Sequence, residues 1–336
     1  MASQIFIKEK KTKLPGKPWG LYVSLFTGRL RPNELWNSLH FRLKFMLRSL
    51  IMPLSMYKLL TMITRHQNYE QLLFAQPRLP CRLHRPYLTT KLNRKEKLNG
   101  LLNHYSMMNN IVDSTGFCQH LGFSGLCIAR LTGKDGGRYL INFSSWYKLD
   151  REGESSIILK NAEGQVLAEI SFLFCIIEGQ STLLIGGLQG PNTEAARLTI
   201  QQATKNLHGL FPKKVVFEAT MMLGNNFGVE SIIAVSNKTH VYQSLRYKNR
   251  QQHIHANYNE FWETQGGLLG DNGLYTFHNK VPRKSIEDIV SKKRAEYRRR
   301  YDLMDDMQKQ ISITFQKIEN SQGTAGALSS SVLDVK

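Results

Sequence analysis

Cysteine is scarce in this sequence: among 336 residues there are four, Cys81, Cys118, Cys127 and Cys175, and no two are spaced as C-x-x-C. That excludes a dense disulfide framework and the usual paired-thiolate zinc site, and it leaves free thiols in a reducing compartment as the simplest account. Long uncharged apolar runs are missing as well. None approaches the ~20 residues needed to cross a bilayer, and the opening Met-Ala-Ser-Gln-Ile-Phe-Ile-Lys-Glu-Lys-Lys has no apolar signal core. A cytoplasmic protein is expected, with contact at the periphery of the inner membrane allowed. Acidic residues are rare in one place only. Residues 1–100 hold 19 Lys or Arg against 4 acids, residues 101–277 hold 14 of each, and residues 278–336 hold 12 against 8. The net charge of +19 therefore sits mainly on the first hundred residues. It points to an anionic partner, either an acidic lipid surface or a nucleic acid, although no RNA- or DNA-binding motif accompanies it.

What is present is a folded protein with an apolar fraction of 41%, organised around residues 166–206. Residues 170–177 are almost wholly apolar and rich in β-branched and aromatic types, the pattern of a strand covered on both faces. After a turn at Glu178-Gly179-Gln180 comes a second strand, then Gly186-Gly187-Leu188-Gln189-Gly190-Pro191-Asn192, then a helix capped by Asn192 or Thr193. A strand, a glycine turn and a helix start form either an anion-holding nest of N–H groups or a tight connection that binds nothing. Alternation and turn residues predict antiparallel strands over 125–132, 138–144, 155–160, 166–177 and 181–188. Two helices and a short strand over 229–235 predict a crossover returning to the sheet in parallel.

Around this core the expected organisation is a flexible basic arm over 1–31, a basic helical region over 32–115, an α+β core over 116–278, a long basic helix over 279–318 and a disordered tail over 319–336. The fold class is α+β, with a mixed, mainly antiparallel sheet. Leu35, Leu39, Leu43, Met46 and Leu50 recur at helical spacing after a cap at Asn33, with Lys44 and Arg48 on the other side and Lys58 in the next helix. Such a pair either packs on its own sheet or lies on a membrane. The last helix is expected from about Ser285, with Ile286, Val290, Tyr297, Tyr301, Met304 and Ile311 inward and Arg298, Arg299 and Arg300 largely off that stripe. His253 and His255 share a face if they lie on a strand, but nothing nearby completes a metal site. Cys175 is too embedded in apolar sequence for a nucleophile.

Four phrases carry a resemblance: Gly187-Leu188-Gln189-Gly190, Leu207 to Lys213, Tyr258-Asn259-Glu260-Phe261-Trp262, and Lys292 to Tyr301. Together they resemble the VirK/YbjX family of enterobacterial proteins over about residues 30–310. The resemblance implies an accessory virulence factor, tied to production of surface virulence proteins or to tolerance of antimicrobial peptides and envelope stress, and it supplies no catalytic residues. The element order also resembles, more faintly, the acyl-CoA-dependent N-acyltransferase superfamily. That likeness implies acyl-CoA held by the backbone of Gly186, Gly187, Gln189, Gly190, Asn192 and Thr193. Tyr258 as general acid and Glu178 as general base are the weak candidates for such chemistry, against a core tyrosine and a turn glutamate. Asn192 stands where that superfamily has a small residue, Pro191 removes a donor, and two helices follow where one is usual.

Overall fold

A computed structural model describes residues 14–145, 149–191, 194–247, 257–278 and 283–330. The chain divides into two units, Met1–His84 and Arg85–Lys336.

The first unit is helical. Helix α1, Pro18–Thr27, opens on proline at its first position and closes on Gly28, whose φ of 77° is the left-handed stop that glycine supplies. It occupies part of the stretch expected to be an unfolded arm. A 3₁₀ turn, Glu34–Asn37, takes the Asn33 cap, and α2, Leu39–Leu50, starts later than expected because Ser38 caps it, accepting from Phe41 N at 3.3 Å. Helices α3, Pro53–Arg65, and α4, Tyr69–Ala75, follow, then a 3₁₀ segment Leu79–His84. Trp36 and Phe45 meet edge to face at 5.1 Å, and Trp36 Nε1 donates to Pro77 O at 2.8 Å, so an aromatic cluster holds these short helices together. The outcome corrects the expected stripe of α2. Phe45 and Ser49 are its buried positions, while Leu39, Leu43 and Leu50 are exposed.

In the second unit α5, Arg94–Ile111, begins with a capping box between Asn93 and Glu96, and α6, Ser114–Leu121, follows. Strands β1 (Leu126–Thr132), β2 (Arg138–Ser144), β3 (Ser155–Lys160), β4 (Val166–Ile177) and β5 (Gln180–Gln189) form an antiparallel meander. Helices α7, Glu194–Asn206, and α8, Pro212–Asn226, cross over to β6, Ser231–Val235, which pairs with β5 in parallel. After α9, Tyr258–Thr264, the strands β7 (Leu268–Leu269) and β8 (Leu274–Phe277) complete a sheet of order β1-β2-β3-β4-β5-β6-β8-β7. The fold is α+β, as expected. Residues Ile170 to Cys175 of β4 are buried throughout, with α5 packed on that strand; a Cβ at Gly100 of α5 would stand 2.8 Å from Leu173 Cδ2.

Two boundaries differ from expectation. Strand β5 continues to Gln189, so Gly186 and Gly187 lie in the sheet and not in a turn. The last helix, α10, spans Ser291–Ser330, starting six residues late because Ser285 to Ile289 forms turns, and it buries Met304, Met307, Ile311 and Phe315 while Val290 is exposed.

Candidate functional site

Two places gather the chemistry. In the first unit, the 3.6-residue period puts Leu39, Leu43, Leu47 and Leu50 of α2 on one face, and all four are exposed, Leu47 by 57%. Ile51 and Leu54 at the α2–α3 corner are 71% and 78% exposed, and Tyr57 and Trp19 are exposed too. Around the helix Lys44 and then Arg48 lie between this leucine face and the buried Phe45 side, Lys44 nearer the leucines, and Lys58 lies one residue beyond Tyr57. The buried side of α2 is fixed instead by Phe45, packed between Trp36 and Tyr22, and by Ser49, which donates to Phe45 O at 2.7 Å and meets His84 Nε2 at 3.4 Å. Among the described residues no single helix is long and apolar enough to cross a membrane; α2 and α3 together reach that length and apolarity but are bent by 115°. Of the three arginines expected to meet an anion, Arg298 and Arg299 of α10 are exposed. Arg300 is engaged within the molecule, donating from Nε and Nη2 to His208 O at 3.0 and 2.9 Å with its guanidinium 4.2 Å from the Tyr297 ring centre.

The second place is the end of β5. Segment Asp150 to Glu154 runs so close to it that a Cβ at Gly186 would stand 2.0 Å from Glu152 O, and one at Gly187 2.0 Å from Glu152 Oε2. These glycines therefore admit another stretch of backbone and its carboxylate. Glu152 is fully buried, and Gln189 Nε2 donates to both of its oxygens at 2.8 Å. His240 Nδ1 accepts from Tyr242 N at 3.3 Å, which leaves the proton of the neutral ring on Nε2, 3.6 Å from Glu152 Oε1. The His240 ring stacks on Tyr258 at 5.2 Å, and Tyr258 Oη accepts from Leu188 N at 3.4 Å. Burial pushes the Glu152 carboxyl up to about 8, against the Gln189 hydrogen bonds that favour its charged form, and Glu169 adds to the rise. Burial lowers His240 to about 4 and raises Tyr258, whose neighbour Glu152 adds to the effect.

Gln189 leads out of this cluster. It lines a cleft of about 310 Å³ with Phe123, Ile158, Lys160, Val166, Glu169, Gly190 and Pro191. The structure thus brings Tyr258, Gly186, Gly187 and Gln189 together. Glu178 is not among them: it is exposed in the β4–β5 turn at the far end of β5, about 30 Å of strand from Leu188. Asn192, Thr193, His253 and His255 lie outside the described residues. Among the described residues no group of His, Cys, Asp and Glu could hold a metal ion. In sequence Asp150-Arg151-Glu152-Gly153 has the composition of a turn, which conceals Glu152, and His240 carries no local signal. A signal existed in the alternation Asp150, Glu152, Glu154: all three are buried, Asp150 on Arg85 and Glu154 on Tyr105 Oη at 2.7 Å. A carboxyl poised near neutrality can hold a cation or exchange a proton.

Comparison with known proteins gives a coherent set of relatives. The family model described as "Protein of unknown function (DUF535)" matches residues 34–313. The chain is 44% identical over 295 residues to "Uncharacterized protein YbjX" of Escherichia coli (strain K12), covering 88% of this chain and 89% of that one. An "Uncharacterized protein" of Haemophilus influenzae is 33% identical over 156 residues, 46% of this chain and 51% of its own length. No solved structure matches.

Proposed function

The chain belongs to the DUF535 family, the VirK/YbjX proteins, and from that premise we propose that it is an accessory protein of the bacterial envelope that works bound to an anionic membrane surface. In this reading it supports surface virulence-factor production or tolerance of antimicrobial peptides and envelope stress from the inner face of the membrane. The observation that carries the proposal is the exposed leucine face of α2 with Lys44 at its edge and Arg48 further round the helix, continued by Ile51, Leu54, Tyr57 and Lys58. Soluble monomers seldom leave so continuous an apolar face uncovered, and a basic flank matches it to acidic headgroups in a way that an RNA groove does not require. The 115° bend suits two short helices lying in a surface.

Co-sedimentation with vesicles tests this. Vesicles rich in phosphatidylglycerol are expected to bind the full chain, and neutral phosphatidylcholine vesicles are not. Replacing Lys44, Arg48 and Lys58 by alanine removes about 1 kcal/mol each, a combined loss of roughly a hundredfold in affinity. Equal binding to both vesicle types, or tighter binding to a short RNA that is insensitive to Leu43→Gln and Leu47→Gln, overturns the reading.

Acyl-CoA-dependent transfer is a second reading, favoured by the parallel β5–β6 pair after the crossover and by Tyr258 at its open end. The described part of the expected phosphate turn fits poorly, since Leu188 N is given to Tyr258 and Pro191 has no N–H.

A further inference from the structure

We propose that Glu152 anchors a binding site for a primary amine entering from the cleft beside β3, β4 and β5, and that the Gln189 side-chain amide holds the amine's place until it arrives. The inference is independent of the membrane reading, which concerns the other unit.

Burying a carboxylate is costly unless a cation or several hydrogen bonds compensate it. In the same segment Asp150 has a cation, Arg85, while Glu154 accepts from Tyr105 Oη. Glu152 has no such cation: among the described residues no Lys or Arg forms an ion pair with it, and the adjacent Arg151 lies over the Tyr247 ring at 4.9 Å. What it has is a single amide nitrogen, Gln189 Nε2, donating to both oxygens. An ammonium nitrogen on a carboxylate would occupy the same position. His240 supplies a second, independent sign. Among the described residues its buried Nε2 has no hydrogen-bond partner, and it is aimed at Glu152 Oε1 from 3.6 Å, too far to bond while the carboxyl is drawn to Gln189.

The way in is also visible. Gln189 is half-buried and forms part of the cleft wall, and Glu169, its cross-strand partner, lines the cleft beside it. An incoming ammonium therefore meets Glu169 first and Glu152 once Gln189 rotates outward. Phe123, Ile158 and Val166 offer apolar wall to a short alkyl chain, and Lys160 also lines the cleft, 5.9 Å from the Phe123 ring centre, where it disfavours a second cationic group. The ligand class that fits is thus a monoamine with an apolar stem.

The protonation balance gives a readout that a structural polar cluster would not. With Glu152 at about 8 in the free protein, the carboxyl is mostly neutral at pH 7. Holding an ammonium ion requires the carboxylate, so binding releases the Glu152 proton to solvent. Affinity should then rise roughly tenfold per pH unit up to about pH 8 and level off above it. The groups that face Glu152 do not titrate in that window: His240 is lowered to about 4 and Tyr258 is raised, and Gln189 does not ionise. Glu169 is the remaining carboxyl, and Glu169→Gln separates its contribution.

Calorimetry of the full chain with hexylamine, against hexanol as the uncharged isostere, decides the matter. The amine is expected to bind with release of close to one proton at neutral pH, read from the dependence on buffer ionisation heat, while the alcohol binds weakly and releases none. Glu152→Gln, a near-isosteric change that removes the ionisable carboxyl, should abolish the preference for the amine; Gln189→Ala should retain or strengthen it. Amine and alcohol binding alike, binding without proton release, or an undiminished amine preference in E152Q overturns the proposal. The proton-release measurement uses the unaltered chain, so it stands even if a variant folds poorly.

Discussion

In α2 the leucines at 39, 43, 47 and 50 face solvent, whereas in α10 the repeat Met304, Met307, Ile311 and Phe315 is buried. Each helix has one apolar face at the same helical period, and each has basic residues near by. The difference lies in what each helix must cover. Helix α10 lies on β1, the edge strand, where Gln310 accepts from Arg130 N at 2.8 Å and donates to Arg130 O at 2.9 Å, so that the helix supplies both the apolar cover and the hydrogen bonds an open edge lacks. Helix α2 has its place fixed by one aromatic side chain, Phe45, inserted among Trp36, Tyr22 and His84. Once that contact is made, its leucines point away. Periodicity locates an apolar face; which neighbour that face meets is decided by contacts distant in sequence.

The sharpest test of the contrast lies within α2 itself. Phe45→Ala should cost about 3–5 kcal/mol, since it empties a fully enclosed aromatic site. Leu47→Gln, two residues on, should stay within about 0.5 kcal/mol in urea unfolding, as an exposed substitution does. Equal losses for the two would mean that the leucine face is covered in solution, and the membrane proposal would lose its support.

The strands were legible because their signals are local. Alternation bounded by Gly133 to Gly137, by Gly153 and by Gly164 set the meander to within a residue or two, and the all-apolar run in β4 announced a strand covered on both faces. The carboxylate cluster was not legible. Glu152, Gln189, His240 and Tyr258 come from a loop, a strand end, a segment after β6 and a helix, and no spacing relates them. Gly186 and Gly187 carry an ambiguous signal: glycine reports that backbone comes close, and here what comes close is Glu152, while a bound anion would leave the same trace in sequence. Tyr258 stands out as an aromatic in Tyr258-Asn259-Glu260-Phe261-Trp262, but its setting depends on Glu152, which is distant in sequence.

A smaller effect tests the other side of the comparison. Ile311→Ala in α10 should cost about 2–4 kcal/mol by leaving a cavity under the helix. Val290, just before the helix and exposed, should tolerate alanine within about 0.5 kcal/mol. Urea midpoints at unchanged slope are the measurement. A loss at Ile311 as small as that at Val290 would place α10 in the same class as α2, a helix whose apolar face is waiting for something else.

The smallest expected effect concerns charge, and it separates anchoring arginines from free ones. Arg300 spends its guanidinium on His208 O and the Tyr297 ring, so Arg300→Ala should lower stability by about 1–2 kcal/mol while barely changing the affinity for anionic vesicles. Arg298→Ala should do neither if the vesicle contact is made by the first unit, because its side chain is exposed and α10 belongs to the second. A fall in vesicle affinity with Arg298→Ala comparable to that with Lys44→Ala would instead make the anionic surface a shared one, and the basic flank of α2 would no longer be a sufficient account of where the +19 charge acts.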